Sequence, residues 1–241
     1  TYPEKLSDIG LDAEAGLHNP LRFFYLIMNP GSVMTLGVYF ICVFMPVSIA
    51  AALLEVLRRP VPKWLTWTGI VSAFCVAAYT GFLLGVVSAY PLWNNAILPV
   101  LFVVSALSAG LAATSLVGLI TDRERFEQMW LIKKSHVILS AIEMVVLATM
   151  LIIVSSGSPE GAASVASLVS GQYAPMFWGG LVLLGLVAPF AIEGYPVFVT
   201  RKVETSTTSM VVSVIGEGGV LVGGFMLRLL VILAALPVLY L

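Results

Sequence analysis

The chain has 241 residues, 59% of them hydrophobic and 10% charged, and a formal net charge of −1. Its mean hydropathy of +1.02 is far above that of a soluble globular domain, so most of the chain belongs in lipid. The near-zero charge offers no basic face to nucleic acid, and no glycine-rich phosphate loop or dinucleotide fingerprint follows a strand pattern, which excludes soluble nucleotide chemistry.

In chain order, the sequence opens at Thr1 with no signal-peptide pattern ahead of its first acidic stretch, as expected if an upstream portion is missing or processed away. Residues 20–30 (PLRFFYLIMNP) are apolar but too short to cross a bilayer and carry Arg22, so they predict an interfacial or re-entrant piece. Apolar runs of spanning length follow at 31–57, 64–90, 95–120, 134–156, 175–196 and 219–241. The expected fold class is an all-α polytopic transmembrane bundle of about six spans, with residues 1–30 as an N-terminal segment and 31–241 as the bundle. The small-residue stretch at 157–174 reads as a connector.

Nine of the twelve Lys and Arg residues fall between alternate spans: Arg58, Arg59 and Lys63; Arg123, Arg125, Lys133 and Lys134; Arg201 and Lys202. By the positive-inside rule these loops are cytoplasmic. PLWNN at 91–95 and both termini are then expected outside.

Ionisable groups inside apolar spans cost about 2.5 to 3.5 kcal/mol on insertion scales, so each needs a reason. Glu143, Glu193 and Arg228 stand out, whereas Glu55 and Glu217 are read as lying near span ends where they can snorkel. Two readings remain open for the three. Either acid pairs with Arg228 and glues helices together, or they line a polar track for protons. Gly81 with Gly85 and Gly219 with Gly223 have the small-xxx-small spacing of close helix packing. Cys42 and Cys75 lie in separate spans and read as small core residues, so no metal site is expected. His18 and His136 read as interfacial and fall on opposite sides, too far apart to clamp one haem iron.

The stretch AYTGFLLGVVSAYPLWNNAILPVLFVVSALSAGLA at 78–112 resembles the signature region of the NrfD/polysulfide-reductase-type membrane subunits. GLHNPLRFFYLIMNPGSVMTLGVYF at 16–40 is similar to that family's leading polar segment and first helix, and GGFMLRLLV at 223–231 to its final Gly-Gly-x-x-x-Arg helix. Two departures are visible: family members typically have eight spans rather than six, and the acidic-Leu-Gly-Arg lead is altered here to Gly16-Leu17-His18-Asn19.

The resemblance implies a haem-free quinone-binding anchor of a respiratory complex, using menaquinone or ubiquinone and holding neither haem nor iron–sulfur cluster itself. It implies docking against a four-cluster ferredoxin-like iron–sulfur subunit, with a molybdopterin catalytic subunit or a multihaem cytochrome beyond. Tyr79 of the Tyr-Thr-Gly element is then the expected partner of a quinone carbonyl. His18, Asn19 and Arg22 are expected at the site mouth, and Glu143, Glu193 and Arg228 on a proton path. A secondary transporter and a purely structural anchor are the competing readings from other classes.

Overall fold

The computed structural model of the chain describes residues 31–121, 130–195, 198 and 207–236. Lipid offers no hydrogen bonds to a backbone, so an apolar run must satisfy its own amides, and only a helix does this within one segment. Every regular element among the described residues is accordingly helical. Helix α1 spans Val33–Val56, α2 Lys63–Gly85, α3 Ile97–Thr121 and α4 Trp130–Gly157, followed by the short α5, Pro159–Val169. A π-helical segment, Met176–Val187, runs directly into α6, Ala188–Tyr195, and α7 covers Thr207–Leu233. Among the described residues, six stretches are long and apolar enough to cross a membrane: α1, α2, α3, α4, the π segment with α6, and α7.

The chain divides into two compact units, Thr1–Val76 and Ala77–Leu241, the division falling within α2. In the first, α1 is apolar on all sides and buries only Thr35 and Gly37. It ends in a Schellman-type turn in which Arg58 N–H donates to Glu55 O and Arg59 N–H to Leu54 O. Arg58 takes the left-handed position at φ 52° that glycine fills most easily. Pro60 and Pro62 then prevent the helix from resuming.

In the second unit α3 packs on α4 and α7, α7 on the π segment and α6, and α4 on α5 and α6. Glycines set the closest approaches. A Cβ on Gly223 would fall on the Gly185 backbone, and one on Gly81 would overlap Pro99. Asn95 Oδ1 accepts from Ile97 N–H at the start of α3 (2.9 Å), and Trp93 Nε1–H donates to Val231 O (2.7 Å), tying the PLWNN turn to the far end of α7. That end of the unit is filled by Leu92, Leu98, Leu101, Phe102, Leu147, Met150, Val154, Phe177, Leu181, Leu227, Leu230 and Val231.

Three expectations change. The final span is Thr207–Leu233, not 219–241, because the Gly-Glu-Gly-Gly stretch at 216–219 lies inside the helix, where Gly216 and Gly219 admit neighbours and Glu217 finds buried partners. The second span stops at Gly85 rather than residue 90. The connector at 157–174 contains α5, initiated by Ser158, whose Oγ accepts from Gly161 N–H at 3.0 Å, with Pro159 at the first helical position. Residues 1–30, with His18, Asn19 and Arg22, lie outside the described residues, as do Arg123, Arg125, Arg201 and Lys202.

Candidate functional site

On an α-helix, residues three, four and seven apart share a face. Lys133, His136, Ser140 and Glu143 therefore form one stripe on α4, and all four are buried. Ser105, Ser108 and Ser115 form a buried stripe on α3, and Ser213, Glu217 and Gly224 one on α7 that the half-buried Arg228 continues. The stripes meet. Lys133 Nζ donates to Ser213 Oγ (2.8 Å). His136 Nδ1 lies 2.7 Å from Glu193 Oε2 on α6 and 3.2 Å from Glu217 Oε2 on α7. Ser115 sits beside Glu217, and Ser105 and Ser108 beside Glu143.

Arg228 closes the series. Its Nη1 folds back along α7 to donate to Gly224 O (2.7 Å), and its guanidinium carbon stands 5.6 Å from the centre of the Phe102 ring. A Cβ at Gly224 would lie 3.4 Å from Arg228 Nη1 and 3.6 Å from Ser105 Oγ, so the missing side chain makes room for the guanidinium beside α3. Glu143 and Arg228 act electrostatically on one another, while Glu193 and Glu217 act on Lys133 and His136. The pairings show that α4 and α7 run in the same sense with α3 opposed.

From Lys133 to Glu143 the track covers ten residues of α4, about 15 Å at 1.5 Å per residue. It is polar throughout and ends against the apolar cluster beneath the Trp93 turn. Several of its atoms are buried without a hydrogen bond: Ser105, Ser108 and Ser115 Oγ, both ring nitrogens of His136, Glu193 Oε1 and both oxygens of Glu217. Such orphans are costly in a low-dielectric interior.

Of the residues singled out from sequence, Glu143 and Arg228 lie within electrostatic reach of one another. Glu193 belongs instead to the His136 cluster. His136 is 1% exposed and not interfacial, because its turn of α4 faces α6 and α7 rather than the bundle's edge. Glu217 is fully buried rather than snorkelling, a consequence of the shifted last helix, and Lys133 is 2% exposed inside the bundle rather than in a loop. Tyr79 is half-buried on α2, six residues before its end. The spacing of Lys133, His136, Ser140 and Glu143 was the available signal for what was missed.

A second polar surface opens at the PLWNN turn. It is a cavity of about 440 Å³ lined by Ser88, Asn94, Asn95, Ser158 and Glu160, with Ile153 and Val154 forming an apolar wall.

The family described as "Polysulphide reductase, NrfD" matches residues 16–239. The protein is 30% identical over 203 residues to the C subunit of polysulfide reductase from Wolinella succinogenes, a match that takes in 73% of this sequence and 63% of that one. It is 30% identical over 182 residues to protein NrfD of Escherichia coli (74% and 54%), and 28% over 166 residues to the NrfD homolog of Haemophilus influenzae (68% and 50%). The matched part thus spans between half and just under two thirds of these relatives. No solved structure matches the sequence.

Proposed function

Since the chain belongs to the NrfD polysulphide reductase family, we propose that it is a quinone- or quinol-binding membrane anchor subunit of a respiratory oxidoreductase complex, exchanging electrons with a docked iron–sulfur partner. The observation that carries this reading is the buried track ending at Glu143 and Arg228. A quinone takes up or releases two protons for every two electrons, and a membrane subunit serving it needs a carboxylate away from lipid to hold a proton in transit. Glu143, 4% exposed between Ser105, Ser108 and Arg228, is built for that. Glu193 lies on the same track, toward the Lys133 end.

For the quinone itself, Tyr79 offers a hydroxyl, and the cavity at the PLWNN turn has the volume for a quinone ring with Asn94 and Ser88 as donors. His18, Asn19 and Arg22 complete the site mouth in this reading. The electron partner is a four-cluster ferredoxin-like subunit, served in turn by a molybdopterin protein or multihaem cytochrome, docked on the PLWNN face, which the positive-inside reading puts outside. The Wolinella succinogenes relative is by its name one lettered subunit of a polysulfide reductase, which supports reading this protein too as part of a larger assembly.

Glu143→Gln tests the reading. The amide keeps size and polarity but relays no proton, so the assembled complex should lose quinone-linked turnover while retaining activity with a soluble artificial electron carrier. Undiminished quinone turnover would sink the proton role. Failure to assemble would assign Glu143 to holding Arg228, since removing one partner of a charge pair within the bundle is destabilising.

A further inference from the structure

We propose that His136, Glu193 and Glu217 form a binding site for a divalent transition-metal ion of the Zn²⁺ class. The inference does not rest on the quinone reading.

Three donors from three separate elements, α4, α6 and α7, converge so that their ligand atoms all lie within 4.8 Å of one another. The side chains are 1%, 1% and 0% exposed. Convergence alone describes any buried ion cluster, and the second observation is how poorly the donors satisfy one another. His136 Nδ1 touches both carboxylates without the alignment of a hydrogen bond. Its Nε2, Glu193 Oε1 and both oxygens of Glu217 are sealed from solvent with no hydrogen bond. A cation coordinated at the centre would use lone pairs that the protein leaves idle.

Zinc-like bond lengths in a tetrahedral arrangement separate neighbouring ligands by roughly 3.3 to 3.6 Å. Glu217, 3.2 Å from Nδ1, already stands near that spacing, and Glu193, at 2.7 Å, must draw back by roughly 0.6 to 0.9 Å. Ser115, beside Glu217, offers a further oxygen. One imidazole with two carboxylates favours Zn²⁺ and its neighbours over Mg²⁺ or Ca²⁺, which take all-oxygen shells.

Lys133 competes with the metal. Its ammonium, held by Ser213, lies within electrostatic reach of both carboxylates and supplies a positive charge at the end of the track. A divalent ion draws on the same two negative charges, so removing the ammonium strengthens metal binding. A cluster that merely pairs charges would instead lose its integrity.

The experiment is equilibrium binding of Zn²⁺ to the full chain in its assembled complex, in detergent, after stripping with a chelator. Co²⁺ serves as the spectroscopic substitute. We expect one saturable site per chain, with the strong visible bands of a four-coordinate Co²⁺ ion. His136→Gln and Glu217→Gln should each weaken binding by at least the roughly 10- to 100-fold seen when merely an outer-shell partner is lost, and Lys133→Met should tighten it. Lys133→Met retains all three ligands, so it remains informative if the ligand variants fail to assemble. Zinc binding that is absent, indifferent to His136→Gln and Glu217→Gln, or weakened by Lys133→Met overturns the proposal.

Discussion

Replacing Gly223 by alanine tests the geometry that brings α6 to the site. A methyl at Gly223 would land on the Gly185 Cα, with the Gly185 carbonyl carbon at 3.2 Å and oxygen at 3.4 Å. Carbon atoms settle about 3.5 to 4.0 Å apart, so α7 and the π segment must part by at least about an ångström. Overpacking of this kind costs about 1 to 3 kcal/mol. Alanine also gains about 1 kcal/mol of helix propensity over glycine, and Gly218→Ala, where a Cβ meets nothing within 4 Å, controls for that gain. The difference between the two variants isolates the overlap. At about 2 to 4 °C per kcal/mol for a chain of this size, thermal unfolding of the detergent-purified protein should place Gly223→Ala roughly 2 to 12 °C below Gly218→Ala. Equal midpoints would show that the helices do not cross at these glycines. The crossing also matters for the site: Glu193 lies eight residues beyond Gly185 and Glu217 six before Gly223, so parting the helices also loosens the two carboxylates around His136.

Tyr79→Phe keeps the ring and deletes the hydroxyl. A lost hydrogen bond of about 0.5 to 1.5 kcal/mol should weaken quinone-analogue binding by up to about tenfold, with soluble-carrier activity unchanged. If quinone-linked and soluble-carrier activities both stay at wild-type level, Tyr79 is a packing residue and the cavity lined by Asn94 becomes the better candidate. For topology, Asn94→Cys should react with an impermeant thiol reagent from outside the cell, as the positive-inside rule requires. Labelling only from the cytoplasm would invert the orientation and move the docking face of the iron–sulfur partner.

Composition alone made the fold legible, since apolar runs of about 20 residues leave few alternatives to spanning helices. Glu143, Glu193 and Arg228 were found by the cost of burying a charge. That argument works only where the span boundary is right, and it failed at Glu217, whose flanking glycines imitated a loop. In α7 Gly219 packs against Leu184 O and Gly223 against Gly185; their small-xxx-small spacing signals packing but does not say where the helix begins. His136 and Lys133 were passed over for a related reason. Both stand near a helix start, where side chains ordinarily reach water, and only the tertiary contacts with α6 and α7 reveal that these face inward. Which acid serves Arg228 was equally invisible, because it depends on helix stagger and on the guanidinium folding back along its own helix.

The layer of leucines beyond Glu143 has an electrical meaning. A respiratory membrane stores work as voltage, about 2.3 kcal/mol for each charge carried across 100 mV, and a wet path from one face to the other would discharge it. A gap of about 10 Å³ within this layer is bounded by Leu92, Leu147, Met150, Leu181, Leu230 and other apolar side chains. That is at the lower edge of what one water needs, and it offers that water no polar partner. If the track carries protons as proposed, this apolar layer is the barrier at its end.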